Sequence, residues 1–430
     1  MAKRVTGMKA GAALLALLAA RPALAQPPGA DSGDNAWLLA ASALVLLAVL
    51  PGLALGWAGV VRGRNLLPVF TQGFASVAAV SLLWAVAGYS LVFAPGPSVI
   101  GGLQNLGLAN LAELRLGTAV SEPVFALFHM ILAALAPTLI VGALVERVRL
   151  GWLVPFLLLW SLFVYVPVAR WLWGGGWLAQ LGTLDYAGGI VIHTTAGISA
   201  LLLAILIGKR AYPAPVAPHS PVLRLAGAGL VWVGWFGLTG GSALGASADA
   251  GFALLNTHLA AASAALCWMA AERIRHGGTG LAGFPTGALA GLAAVTPAAG
   301  LIGPMGAIGL GALAGILCFI MADLVRRRFD IDDASNMFAV HGVGGMLGAL
   351  LLAPLTAVAL GGVGYGEDSG VLVQLVAQIV GVAAVLLWTT VVTLLLALVV
   401  SLFLPMRVPT EMEHGSPDPA GNHPADPTAD

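Results

Sequence analysis

Two stretches decide the fold: Asp185-Tyr-Ala-Gly-Gly-Ile-Val-Ile-His193-Thr-Thr-Ala-Gly197 and Asp333-Ala-Ser-Asn-Met-Phe-Ala-Val-His341-Gly-Val-Gly-Gly345. Both run Asp, seven residues, His, three residues, Gly. Each opens an apolar segment long enough to cross a bilayer. A histidine eight residues into a helix sits ~12 Å deep, where an imidazole must find a partner or line a cavity. Each aspartate, at the entrance of its helix, reads as a cap for orphan amides rather than a transport carboxylate.

Working outward, the whole chain is apolar. Of 430 residues, 59% are hydrophobic and 9% charged, where a soluble protein carries about a quarter charged. The 19 basic and 19 acidic residues balance, which leaves no nucleic-acid footprint. Cys267 and Cys318 lie in apolar runs, so a disulfide scaffold is excluded. Lys3, Arg4 and Lys9 precede a short apolar core that ends at Ala23-Leu24-Ala25, and residues 1–25 read as a cleaved signal peptide.

Hydropathy then gives eleven spans, near 36–59, 69–93, 119–145, 152–172, 187–208, 222–245, 251–271, 280–298, 304–325, 335–356 and 371–403. Residues 26–404 form the membrane domain and 405–430 a Pro- and Asp-rich tail with no packed core. With the mature N-terminus outside, thirteen basic residues fall on the cytoplasmic side and only Arg115 and Arg170 outside. The two Asp–His–Gly copies are five spans apart, so the second enters the membrane inverted relative to the first. The expected fold is all-α and polytopic, a five-plus-five inverted repeat with one additional C-terminal helix and its working site where the halves meet.

The pattern therefore points to a pore with a matched histidine pair, His193 and His341. His129 in span three and His258 at the start of span seven read as isolated, and either could be a satisfied helix contact. Gly287-xxx-Gly291, Gly311-xxx-Gly315 and Gly344-xxx-Gly348 read as helix-packing glycines. Trp173-Gly-Gly-Gly-Trp177 is either an interfacial anchor or the wall of a cation vestibule. No phosphate loop, zincin or hydrolase motif occurs, so neither an enzyme nor a cofactor is expected, and the two histidines lack a charged third partner for a metal.

The order Gly142-Ala-Leu-Val-Glu146-Arg147, Trp173-Gly-Gly-Gly, Asp185-Tyr-Ala-Gly-Gly, Gly234-Trp-Phe-Gly, Val295-Thr-Pro-Ala-Ala-Gly300 and Asp332-Asp333 before Val340-His341-Gly-Val resembles the ammonium transporter (Amt/Mep/Rh) family, from about residue 36 to 404. The resemblance implies a homotrimer with one pore per subunit in the bacterial inner membrane, N-terminus periplasmic and C-terminus cytoplasmic. It implies ammonium recruitment at Trp173 and Ser242, His193 and His341 as twin pore histidines sharing a proton, and a structural role for Asp185. The family's phenylalanine pair is replaced here by Leu132 and Leu238, which keep an apolar constriction but no aromatic face. Family members often bind a PII signalling protein; only Val408-Pro-Thr-Glu-Met-Glu413-His-Gly resembles the regulatory tail. Two other functions stay open at this point: an ammonium sensor, and a neutral-gas or small-solute pore.

Overall fold

Backbone amides cannot go unpaired in hydrocarbon, and this chain meets that demand with helix. A computed structural model describes residues 29–211, 220–280, 282–366, 369–410 and 413. Residues 1–25, read above as a signal peptide, and most of 405–430 lie outside the described residues. Within them there is no strand, only isolated bridges joining Leu114 to Ser121 and Val148 to Arg407.

The helices in order are α1 Ser32–Ala58, α2 Leu66–Phe93, α3 Glu122–Leu144, α4 Leu150–Gln180, α5 Gly189–Ile207, α6 Pro221–Gly241, α7 Ala248–His276, α8 Gly283–Val295, α9 Pro304–Arg327, α10 Phe338–Leu355 and α11 Val371–Ser401. All but α8 are long and apolar enough to span a membrane, ten among the described residues. The chain is a multi-pass membrane protein.

The stretch expected to be span eight, 280–298, contains the 13-residue α8 instead of a full-length helix. Proline at 297 lacks the amide a continuing helix needs, and the chain goes on through a buried turn. That turn is not left with bare carbonyls: Asn256 Nδ2 donates to Ala299 O and Ile302 O, both at 2.8 Å, and Pro297 O accepts from the Tyr186 amide at 3.1 Å. Small residues then draw the helices together. A Cβ on Gly291 of α8 or on Gly311 of α9 would lie 2.3 Å from Ala260 O of α7, so these backbones touch because no side chain intervenes.

Charged residues staple the loops on one side. Arg147 is fully buried and donates to Gly208 O at 2.6 Å, Asp332 O at 2.8 Å and Ala143 O. Arg210 grips Asp332 through Nε at 2.9 Å and Nη2 at 2.8 Å, and reaches Glu146 at 3.2 Å. Burial would raise the Asp332 carboxyl, but Arg210 and Arg147 outweigh it and hold the group below the ordinary carboxylate range. The first tail residues seat on this cluster: Arg149 N donates to Met406 O, Val408 N to Arg147 O, and the buried Glu413 carboxylate accepts from Arg407 Nε at 2.5 Å and the Ala211 amide at 2.8 Å. The part of the tail within the described residues is therefore docked, not free.

Candidate functional site

The site is built where α5 and α10 begin, and both begin with a π-helical turn, Gly189–Thr194 and Phe338–Val343. Such turns are rare and widen a helix locally. The local sequence explains the start of each. Asp185 accepts the amides of Gly188 at 3.1 Å and of Ile190 and Val191 at 2.8 Å. Burial pushes its carboxyl up, to about 6, while the amides of Val191, Ile190, Gly189 and Gly188 pull it down. Asp333 accepts the Phe338 amide at 2.8 Å, and its Oδ1 is buried without a partner.

The repeated glycines are the crossing points. A Cβ on Gly197 would fall 2.2 Å from the Gly342 amide nitrogen, and one on Gly345 would fall 2.5 Å from Gly189 O and 2.9 Å from His193 Cβ. Each copy's glycine thus admits the other copy's histidine-bearing turn. The result is that His193 and His341 meet with ring centroids 5.2 Å apart and planes 33° apart. Both are buried, at 0% and 1% exposure. All four of their ring nitrogens are sealed from solvent with no hydrogen-bond partner.

A third ring completes the pair. Trp235 of α6 stacks on His193 at 5.1 Å and 13°, and lies 6.3 Å from His341. Its indole Nε1 donates to Thr296 Oγ1 at 2.9 Å and Leu292 O at 3.1 Å, which locks the ring plane. In the sequence Trp235 stands out only as part of the Gly234-Trp-Phe-Gly motif. The available signal was its spacing, three residues before Leu238 on the same helix face.

The residues read as constriction and vestibule come from α3, α4 and the end of α6. Leu132 of α3 and Leu238 of α6 are each 1% exposed. Trp173 is held by its Nε1 donating to Asp185 O at 2.8 Å, which couples the tryptophan to the cap of α5. Ser242 follows the end of α6, its hydroxyl turned back onto Leu238 O at 2.8 Å. A Cβ at its neighbour Gly241 would lie 2.6 Å from the Phe128 ring, so the end of α6 abuts the α3 turn that carries Phe128 and His129.

His129, outside the repeated motif, is a satisfied helix contact as allowed above. Its ring packs 4.1 Å from Phe125, 4.8 Å from Phe93, 5.4 Å from Phe128 and 5.8 Å from Trp173, and Nδ1 bonds Phe125 O at 3.1 Å. His258 likewise has neighbours, Trp232 at 5.4 Å and Phe236 at 6.2 Å. Phe125 and Phe128 stand on α3 with His129, whereas Phe93, Trp173 and both ring neighbours of His258 come from other helices. Beyond His341 lies a cavity of about 40 Å³, bordered by Trp57, Arg224, Thr286, Leu289, Met337 and His341 itself. Among the described residues, no three His, Cys, Asp or Glu side chains converge as a metal site would require.

The model of the Ammonium Transporter Family matches residues 36–423. The chain belongs to the ammonium transporter family. It is 38% identical over 388 residues to an ammonium transporter of Bacillus subtilis, covering 89% of this chain and 95% of that one. The ammonium transporter Amt1 of Archaeoglobus fulgidus is 40% identical over 390 residues, covering 89% and 96%. Among solved structures of the family, Candida albicans Mep2 superposes with a TM-score of 0.82 at 34% identity, covering 89% of this chain and 87% of Mep2. A sensor Amt protein superposes with a TM-score of 0.85 at 27% identity, covering 91% and 98%.

Proposed function

We propose that this family member moves ammonium nitrogen across the membrane as ammonia, through the conduit bordered by His193, His341 and Trp235. The observation that carries this is the four buried imidazole nitrogens with no partner in the protein. An unpaired buried polar group costs about 1–3 kcal/mol, and such a site persists when a guest supplies the missing bonds. Ammonia, with three N–H donors and one lone pair, suits that requirement.

Desolvation sets the order of events. Stripping water from an ammonium ion in an apolar passage costs at least several kcal/mol, whereas the neutral amine loses far less. Ammonium is recruited between the Trp173 face and Ser242, where a cation–π contact is worth ~0.5–2 kcal/mol. It gives up its proton before the Leu132 and Leu238 constriction, whose apolar walls exclude water and ions. Ammonia then passes along the histidines, which accept and donate hydrogen bonds and relay the separated proton. Asp185 and Asp333 shape the two histidine-bearing turns.

The architecture proposed with it is an inverted repeat of eleven crossings, with α8 and its buried turn counted as the eighth. The distribution of basic residues favours a periplasmic N-terminus and a cytoplasmic C-terminus, in a bacterial inner membrane, with the subunits as a homotrimer. The docked segment up to Glu413 is the surface a PII protein would meet. His193→Ala and His341→Ala, measured for methylammonium uptake and for current after an ammonium step in proteoliposomes, test the relay. Each is expected to lower the current at least about tenfold, the equivalent of ~1.4 kcal/mol of barrier. Current and selectivity equal to the unaltered chain in both variants would dismiss it.

A further inference from the structure

Arg115, in the loop before α3, has its guanidinium carbon 4.4 Å from the centre of the Phe125 ring and 4.8 Å from that of Phe93. The two rings stand nearly at right angles, 73°, and form two walls of a cage. The Glu122 carboxylate makes a third, 3.4 Å from Arg115 Nη1, and it also accepts from the Tyr89 hydroxyl. Two aromatic faces and a carboxylate are the chemistry that binds a small cation. The same two rings flank His129, which touches Trp173, so a single ring separates the cage from that tryptophan.

Arginines that serve as structural staples look different. Arg170 in the same outer region is 5% exposed and donates to four carbonyls, Val92, Ala94, Gly96 and Pro97, at 2.8–3.1 Å. Arg115 has one side-chain hydrogen bond, at 3.4 Å, longer than a firm charge-assisted bond, and its side chain is 21% exposed. Its backbone is well held, with Arg115 N donating to Val120 O at 2.8 Å and the Thr118 amide to Arg115 O at 3.0 Å. The guanidinium is therefore a cation on a fixed tether, loosely held at its tip.

We propose that Arg115 is a built-in competitor for the entering cation, filling the Phe93–Phe125–Glu122 cage that ammonium, methylammonium or guanidinium would otherwise occupy. The proposal rests on cation recruitment at the Trp173 side of the pore. Apparent affinity is reduced by the fraction of molecules in which the site is already taken. Removing the tether therefore raises affinity without touching the conduit.

The test is Arg115→Ala and Arg115→Gln, each assayed for methylammonium uptake and for ammonium-dependent shifts of the unfolding midpoint. With a contact of this type removed, the half-saturating concentration should fall about two- to tenfold at an unchanged maximal rate. Millimolar guanidinium should restore the higher value in both variants and leave the unaltered chain unmoved. Unchanged half-saturation and no response to guanidinium in either variant would overturn the proposal while leaving the transport function standing. Absent uptake by every form, with ammonium still shifting the midpoint of the variants more than that of the unaltered chain, would support the cage and sink the transport function. Absent uptake with no such shift would sink both.

Discussion

Gly197→Ala is the most direct probe of how the histidine pair is held. The added methyl would stand 2.2 Å from the Gly342 nitrogen and 2.3 Å from its Cα, where ordinary contact begins at 3.4 Å. Both are backbone atoms of a buried turn, so no side chain can swing aside, and the two helices must part by roughly 1 Å. Overpacking of this kind costs ~1–3 kcal/mol. The larger effect is positional, because Gly342 directly follows His341 and Gly197 lies one turn beyond His193. Misplacing a reacting geometry by about 1 Å costs on the order of a hundredfold in rate. The expected result is methylammonium uptake lowered at least about tenfold per molecule in the membrane, with a lower unfolding midpoint. Gly251→Ala is the control, since its methyl would meet nothing within 4 Å, and helix propensity there favours alanine by ~1 kcal/mol. Unaltered uptake and midpoint in Gly197→Ala, at normal abundance, would refute the idea that this crossing sets the spacing of the pair.

Trp235→Phe keeps a ring over His193 but loses both indole hydrogen bonds, so transport should persist with stability lowered by ~1 kcal/mol. Trp235→Ala removes the ring as well, and uptake should collapse; normal uptake in Trp235→Ala would mean that the stack does not serve the pore. Acid should weaken the loop cluster on Arg147 and Arg210. The Asp332 carboxyl is held below its ordinary value in the folded chain, so its contribution is fully present above about pH 5 and is lost as pH falls through ~4 and below. An unfolding midpoint recorded against pH should show that fall in the unaltered chain and much less of it in Asp332→Asn; parallel curves would count against the ion pairs.

Much of this was legible from one chain without a partner structure. The apolar runs, the two Asp–His–Gly copies and the order of the motifs are local or repetitive features, and sequence carries those directly. The expectation weakened wherever a helix departed from regular geometry. The region 280–298 is apolar enough for a span, yet the helix stops at Val295, two residues before Pro297, and the chain goes on through a turn braced by Asn256. Hydropathy averages over windows longer than a π turn, so the distortions at Gly189–Thr194 and Phe338–Val343 leave no trace in it.

Composition and spacing alone determined that the chain is a helical membrane protein with two histidines in matched segments, but not their depth: the helices begin at Gly189 and Phe338 rather than at the aspartates, so His193 and His341 stand in the first turns of α5 and α10 and not eight residues in. Tertiary structure decided that those histidines lie 5.2 Å apart under the Trp235 ring, that His129 belongs to an aromatic cluster, and that Arg115 rests over Phe93 and Phe125. The reason is physical: the histidine pair, the Trp235 stack and the Phe93 contacts join different segments, and for the pair it is the packing of Gly197 and Gly345 against backbone, which no local pattern encodes, that brings the rings within reach.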